Sequence, residues 1–449
     1  MKTSHIIISL SFGLLISIPA TAQHTLSLKQ IKQLAVEHNI IMRSANNSIK
    51  QSQEQEKEAF TNYFPQISAV GMGFKSNKDM MKTELNTAEL LPSSIAASIP
   101  PQIAAGIPTT IPISMIDKGV VLGVTAIQPL FTGGQIINGN KLAKVGTEVS
   151  MLKKQLSEND VEMTAEQYFW QIVSLKEKMK TLDAVAEMLK KMENDVDIAV
   201  KAGVGIRNDL LQVQLKENEI QSNKIQVENG LKLSLMVLAQ YIGMEDSEID
   251  LLSPIDPTHV PDYPIIKVDH GEAVYSTMEY QLLQKGLEVA TLQKKIAVGK
   301  NLPSVGVGVG YNYYNMGSNM NNHFGEVFAT VSIPISKWWG GSHVVKRSKL
   351  AEENAKEELK DNSQLLKIKM QKNWNDMDAA YKQLQLSKKG IEQSEENLRL
   401  NSEYYHAGTV TINALLDAQQ QYQQCRDRYT DAYATLQTKI SEYEKSIGR

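Results

Sequence analysis

The chain has little of what most enzymes and most membrane-helix proteins are built from. A single cysteine, Cys425, excludes an intrachain disulfide framework and a four-cysteine zinc site. The formal net charge is only -3, with 22% charged residues, so there is no basic field for nucleic acid. Aromatic residues make up 6%. Beyond residue 22 no apolar run reaches the length of a membrane helix. The eight histidines are scattered, with no pair at metal-ligand spacing. Gly306, Gly308 and Gly310 mimic a fragment of a phosphate loop, but small residues along a strand explain them better. No enzymatic constellation, cofactor or metal site is expected.

What is present begins with an export signal. Lys2 supplies a positive start, Ile6 to Ile18 an apolar stretch, and Ala20-Thr21-Ala22 a small-residue cleavage site. Residues 1–22 are therefore expected to be a signal peptide, and the mature chain to work outside the cytoplasm.

The mature chain repeats itself. Ala202-Gly203 recurs as Ala407-Gly408, 205 positions later, and Leu210-Leu211, Gln214 and Ile242-Gly243 recur at the same offset. A fixed long period means two copies of one unit. The first copy is expected over 23–243 and the second over 269–449. A linker at 244–268 separates them, since Pro254, Pro257, Pro261 and Pro264 cannot continue a helix. Each copy reads as helix, strand, strand, very long helix, returning helix. Strands are expected at 64–75, 119–131, 303–314 and 325–335. Long helices are expected at 135–201 and 342–406, returning helices at 208–241 and 413–446. The opening helices read as continuous over Leu28 to Tyr63 and Gly271 to Lys300. Gly133-Gly134 and Gly340-Gly341 read as the breaks after the second and fourth strands. The 76–118 insert reads as a long loop, either functional or a surface variation.

The strands alternate. Val70, Met72 and Phe74 share one face of the first, and Val305, Val307, Val309, Tyr311 and Tyr313 alternate with glycine and serine in the third. One apolar face and one small-residue face suit a membrane β-barrel, although a soluble sandwich shares the pattern. Aromatics stand at the strand ends: Tyr63, Phe64, Phe131, Trp338 and Trp339 where strand meets helix, and Tyr311 and Tyr313 at the other end, as in interfacial girdles. Four strands cannot close a barrel, and bare edges in lipid leave unpaired backbone groups costing several kcal/mol each. Several chains must each donate an arc. Tyr168, Ile172, Leu175, Met179, Leu182, Ala186 and Leu189 form a coiled-coil seam, which also needs partners.

These features together resemble the TolC family of outer-membrane efflux channels. The resemblance is carried by the duplicated plan, by Tyr63-Phe64-Pro65 and Leu302-Pro303 before the first strand of each half, and by Gln128-Pro129-Leu130-Phe131 followed by Gly133-Gly134. The turns Ala202-Gly203-Val204 and Ala407-Gly408-Thr409, each followed by Leu-Leu, add to it. It implies an α+β membrane protein of two internal repeats. Three chains would give a 12-stranded β-barrel in the outer membrane, four strands each, continued by a periplasmic α-helical barrel. The function implied is a passive exit duct for tripartite efflux or type I secretion. It would dock a periplasmic adaptor and an RND- or ABC-type inner-membrane transporter. The resemblance assigns a periplasmic gate to Tyr405, the Asp209 it would bond, and an acidic ring at Asp417, and adaptor contacts to Gly203, Val204, Gly408 and Thr409. Val410 and Ala414 stand where the best-known member carries an arginine and a second ring aspartate, which implies a weaker lock. Asp209 can equally serve the first turn of its helix, and Asp417 a solvated face. A periplasmic coiled-coil adaptor is the alternative; its single hairpin sits awkwardly with a twofold repeat.

Overall fold

A computed structural model describes residues 24–449 apart from 79, 81, 91, 93–94, 96–98, 101–102, 104–105, 107, 115, 245–248, 257–258, 264 and 317–320. The expected signal peptide lies outside the described residues. The chain divides into two compact units. One takes in Asn47–Leu152 and Tyr280–Asn362, the other the segments ending at Asn46, Lys153–Glu279 and Ser363–Arg449.

The first of these units holds a four-stranded antiparallel sheet. Its strands are β2 (Gln66–Lys75), β5 (Lys118–Phe131), β7 (Ser304–Asn315) and β8 (Asn321–Ser332), in the order β2-β5-β7-β8. The inner pair joins the two repeats, and among the described residues β2 and β8 each keep one edge without a partner strand. The fourth strand starts earlier than its alternation suggested and stops before Pro334, which cannot donate to a ladder. Within the 76–118 insert, β3 (Lys82–Asn86) and β4 (Thr110–Ser114) pair antiparallel, so the segment expected as a loop carries a two-stranded ribbon.

Register decides which side chains share a face. Val124 pairs with Tyr311, which pairs with Gly325; Ala126 pairs with Val309, which pairs with Val327. Ile67, Ala69, Val120, Leu122, Val305, Val307 and Val331 fall on this same, apolar face. Val70, Met72 and Phe74 do not. Val70 lies opposite Gly123 and Phe74 opposite Gly119, on the small-residue face, contrary to a reading that continues the apolar face through them. The reason is local packing. A Cβ on Gly119 would come within 2.7 Å of the Phe74 ring, so the glycine makes room for it.

The breaks after the strands differ between the repeats. Gly133 and Gly134 have positive φ (63° and 78°) and end β5 before helix α4 (Gln135–Lys201). Gly340 and Gly341 do not break the fourth strand; they lie inside helix α8 (Lys337–His406), near its start. Pro334 does the breaking, and a Cβ on Gly341 would collide with the Asn301 side chain. Trp338 and Trp339 consequently belong to the first turn of α8.

The other unit holds the returning helices, α5 (Arg207–Tyr241) and α9 (Ile412–Ser446), with parts of α4 and α8. The expected continuous opening helices are interrupted. In the first repeat α1 (Leu28–His38) and α2 (Ile40–Thr61) are separated by Asn39, whose backbone is extended at ψ 141°. Its Oδ1 accepts from the Ile41 amide at 2.8 Å and its Nδ2 donates to the Tyr241 carbonyl at 3.4 Å. In the second, a short helix at His270–Ala273 and a 3-10 turn at Val274–Ser276 precede a helix at Met278–Gly299, with Thr277 extended between. The N-terminal strand β1 (His24–Leu26) pairs parallel with β6 (Ile249–Leu251) from the linker. Tyrosines fasten the rest of that linker: the Tyr429 hydroxyl donates to the Asp256 and His259 carbonyls at 2.9 and 3.1 Å, and the Tyr443 hydroxyl accepts from the Val268 amide at 3.3 Å.

Candidate functional site

The two helix turns are one design used twice. Gly203 donates its amide to the Val200 carbonyl at 3.0 Å and Val204 to Ala199 at 3.0 Å; Gly408 donates to Tyr405 at 2.9 Å and Thr409 to Tyr404 at 2.9 Å. Each partner is displaced by the same 205 positions. Both glycines are left-handed, at φ 78° and 72°, which reverses the chain after a long helix. Nothing lies within 4 Å of where a Cβ would stand on either, so both turn tips face open space. Val204, beside the first of them, is 83% exposed.

The helix starts beyond the turns differ. Thr411 caps α9, its hydroxyl accepting from the Ala414 amide at 3.4 Å. Ile206 heads α5 and offers no side-chain cap, so Asp209 in the first turn supplies the anion that the helix N-terminus favours. Beneath the turns, Leu182, Val185, Leu189, Met192 and Val196 of α4 pack with Val213, Ile412, Leu415 and Leu416. The α4 residues keep a 3-4 spacing; Leu182 and Leu189 belong to the expected seam, Ala186 packs against it partly buried, and Val185, Met192 and Val196 extend it.

Tyr405 leans on this core and is partly covered. Burial pushes its phenol up from the ordinary tyrosine value, and the carboxylates of Asp209 and then Asp195 push it further. The structure therefore brings Tyr405 and Asp209 within electrostatic reach. The bond that the resemblance implied is absent: no hydrogen bond joins them among the described residues. Asp195 was missed, because an aspartate in a run of polar helix carries no signal of its own. Asp417 is exposed on α9, two residues from Gln419, which is fully buried with neither amide atom partnered. Its repeat-mate Gln214 donates to Glu193 at 2.8 Å.

In the sheet-bearing unit, the aromatics proposed as girdles are mostly exposed. Phe60 stacks edge-on with Tyr63 and Phe64 at 5.7 and 5.4 Å, and the Trp338 indole donates to the Asn301 carbonyl at 3.0 Å. Phe131 pairs with Val305 across a bulge, and Tyr311 and Tyr313 stand on the apolar face. That apolar face is bare: Ile67 is 74% and Val327 84% exposed. Bare aliphatics along this sheet face, flanked by two open edges, demand a covering that the described residues do not provide. Among the described residues no helix is long and apolar enough to cross a membrane, and no group of three or more metal-binding side chains gathers.

Comparison with known proteins supplies the context. Residues 281–449 match the family model described as "Outer membrane efflux protein". No curated protein matches the sequence. Among solved structures, the outer membrane protein VceC of Vibrio cholerae is similar at 12% identity and TM-score 0.71, covering 94% of this chain and 96% of its own. The CmeC outer membrane channel of Campylobacter jejuni is similar at 13% identity and TM-score 0.73, covering 94% and 85%. The MtrE outer membrane channel of Neisseria gonorrhoeae, in its open state, is similar at 15% identity and TM-score 0.72, covering 94% and 88%. At such identities the likeness concerns the fold.

Proposed function

We propose that this chain belongs to the TolC-like outer membrane efflux proteins and is the passive exit duct of a tripartite efflux or type I secretion system, a reading supported by the family match over residues 281–449 and by a fold shared along 94% of its length. It resides in the outer membrane with its helices in the periplasm. Three copies complete a 12-stranded barrel, the apolar sheet face turned to lipid and the small-residue face to the lumen.

The observation that carries this reading is the sheet: four strands, two unpaired edges and one bare aliphatic face. In hydrocarbon each unsatisfied edge group costs several kcal/mol, so only edge-to-edge closure with further copies is stable. Twelve strands leave a pore, where eight would be filled by side chains. The helix turns at Gly203, Val204, Gly408 and Thr409 dock a periplasmic adaptor, and Asp209, Tyr405 and Asp417 surround the periplasmic entrance. An energised inner-membrane transporter of the RND or ABC type supplies the work. The adaptor alternative finds no footing, since both repeats contribute strands to a single sheet.

Native mass spectrometry of the detergent-purified chain tests the assembly. Three copies per particle are expected, dissociating to single chains on heating in SDS. A stable monomer that stays in solution without detergent overturns the reading.

A further inference from the structure

The following rests on the exit-duct reading, in which the small-residue face lines the lumen. Three adjacent cross-strand rows on that face can be written from the register. Gln66, Ile127, Gly308 and Phe328 form one; Ser68, Thr125, Gly310 and Glu326 the next; Val70, Gly123, Asn312 and Phe324 the third. Strand side chains alternate, so Phe324, Glu326 and Phe328 project to the same side of β8 with a carboxylate between two rings. Glu326 is the one acidic or basic side chain that the paired positions of this face carry in any of the four strands.

Its surroundings are cleared for it. A Cβ on Gly310, directly opposite, would come within 3.0 Å of Glu326 Oε1 and 3.2 Å of its Cγ, so the carboxylate lies across a glycine floor. Gly308 does the same for Phe328, whose ring edge would stand 2.6 Å from a Cβ there. Asn312 Nδ2 donates to Glu326 Oε1 at 2.9 Å and holds the side chain in place. Among the described residues no lysine, arginine or histidine forms an ion pair with it. Phe324 is 44% exposed, so its ring is open to a visitor. Folding has no need of the charge, since glutamine would accept from Asn312 equally well.

A lone carboxylate between aromatic faces has a definite chemical preference. It attracts a positive charge, and the rings add both cation–π attraction and apolar contact. A bare divalent ion prefers several oxygen ligands, which phenylalanines do not offer. We infer that Glu326, Phe324 and Phe328, repeated three times around the lumen, form a transit site for amphipathic organic cations that carry aromatic rings. Anionic cargo is repelled there. Neutral cargo gains the ring contacts without the charge term. The site lies on β8 and is separate from Asp417, which is a residue of α9.

The test is current block in planar bilayers holding the full-length chain, with tetraphenylphosphonium as the probe and tetraphenylborate as the anion of the same shape. Wild-type pores should be blocked by the cation and not by the anion. Glu326→Gln should raise the half-blocking concentration of the cation about tenfold, and Phe324→Leu with Phe328→Leu about as much, as loss of a charge contact or of two ring contacts requires. Pores of either variant that are blocked as the wild type is would overturn the site while leaving the duct intact. Failure of the wild-type chain to form any pore would overturn the duct and the site with it.

Discussion

Asp427 illustrates what single residues in this chain carry unseen. It stands one turn before Asp431 on α9. Asp431 is engaged, accepting from the Ser174 hydroxyl at 2.7 Å and the Lys178 ammonium at 2.9 Å. Among the described residues Asp427 has no such bonds, and burial pushes its carboxyl up to about 6, the Lys178 ammonium pulling it back and Asp431 pushing it up again. The unfolded carboxyl releases its proton near 3.8, so between that value and about 6 the folded chain holds a proton that the unfolded chain has lost. A raised carboxyl therefore contributes stability that is complete below pH 3.8 and lost as the pH climbs through about 6. The difference is at most about 3 kcal/mol. Asp427→Asn should raise the melting temperature at pH 7.5 and leave it unchanged at pH 3.5. An equal rise at both would assign the effect to packing. None of this was readable from Asp427-Arg428-Tyr429-Thr430-Asp431, which has the look of a solvated helical face. The neighbour that matters, Lys178, is far away in sequence.

At the level of elements, the duplicated turns were legible and their surroundings were not. Gly203, Gly243, Gly408 and Gly448 all have positive φ, in the same 205-residue register that the sequence shows. The space around them differs. A Cβ on Gly408 meets nothing within 4 Å, whereas one on Gly243 would stand 2.5 Å from His38 Cβ and 3.0 Å from its Cγ. Gly408→Ala should cost about 1 kcal/mol, the left-handed strain alone. Gly243→Ala should cost clearly more, because His38 sits at the end of α1 where Asn39 breaks the helix and cannot retreat without disturbing that break. Guanidinium unfolding in detergent would rank the two, and equal losses would contradict the packing argument. The break itself escaped notice because the periodicity runs straight through it. Asn39 and Thr277 are 238 positions apart, the spacing of Pro65 and Pro303, so the interruption too was duplicated with the unit. Strand alternation was plain for the same reason that its facing was hidden: a period of two names two faces and cannot say which joins the neighbour's. Only the pairing of Phe74 with Gly119 settles it.

Across the whole molecule, the proposed trimer would multiply single side chains into rings. This is where Asp417 acquires a role that an exposed aspartate on one helix would not have. In the proposed trimer, three symmetric Asp417 carboxylates at the periplasmic entrance would form a constriction that attracts cations, most strongly those of high charge. Such a ring would stand alone, because Ala414 and Val410 add neither a second carboxylate nor a basic residue. Among the described residues the Tyr405 hydroxyl makes no hydrogen bond to Asp209. Entry should then be governed by charge at one ring more than by a mechanical lock. Hexaamminecobalt added to the periplasmic side of bilayer pores should block wild-type current, and Asp417→Ala should weaken that block by about tenfold or more while leaving conductance in its absence near wild type. The same ion added from the other side should act less strongly, since it must first pass the barrel. Wild-type block by the trivalent ion in Asp417→Ala would place the constriction on other residues and return Asp417 to the solvated face of its helix.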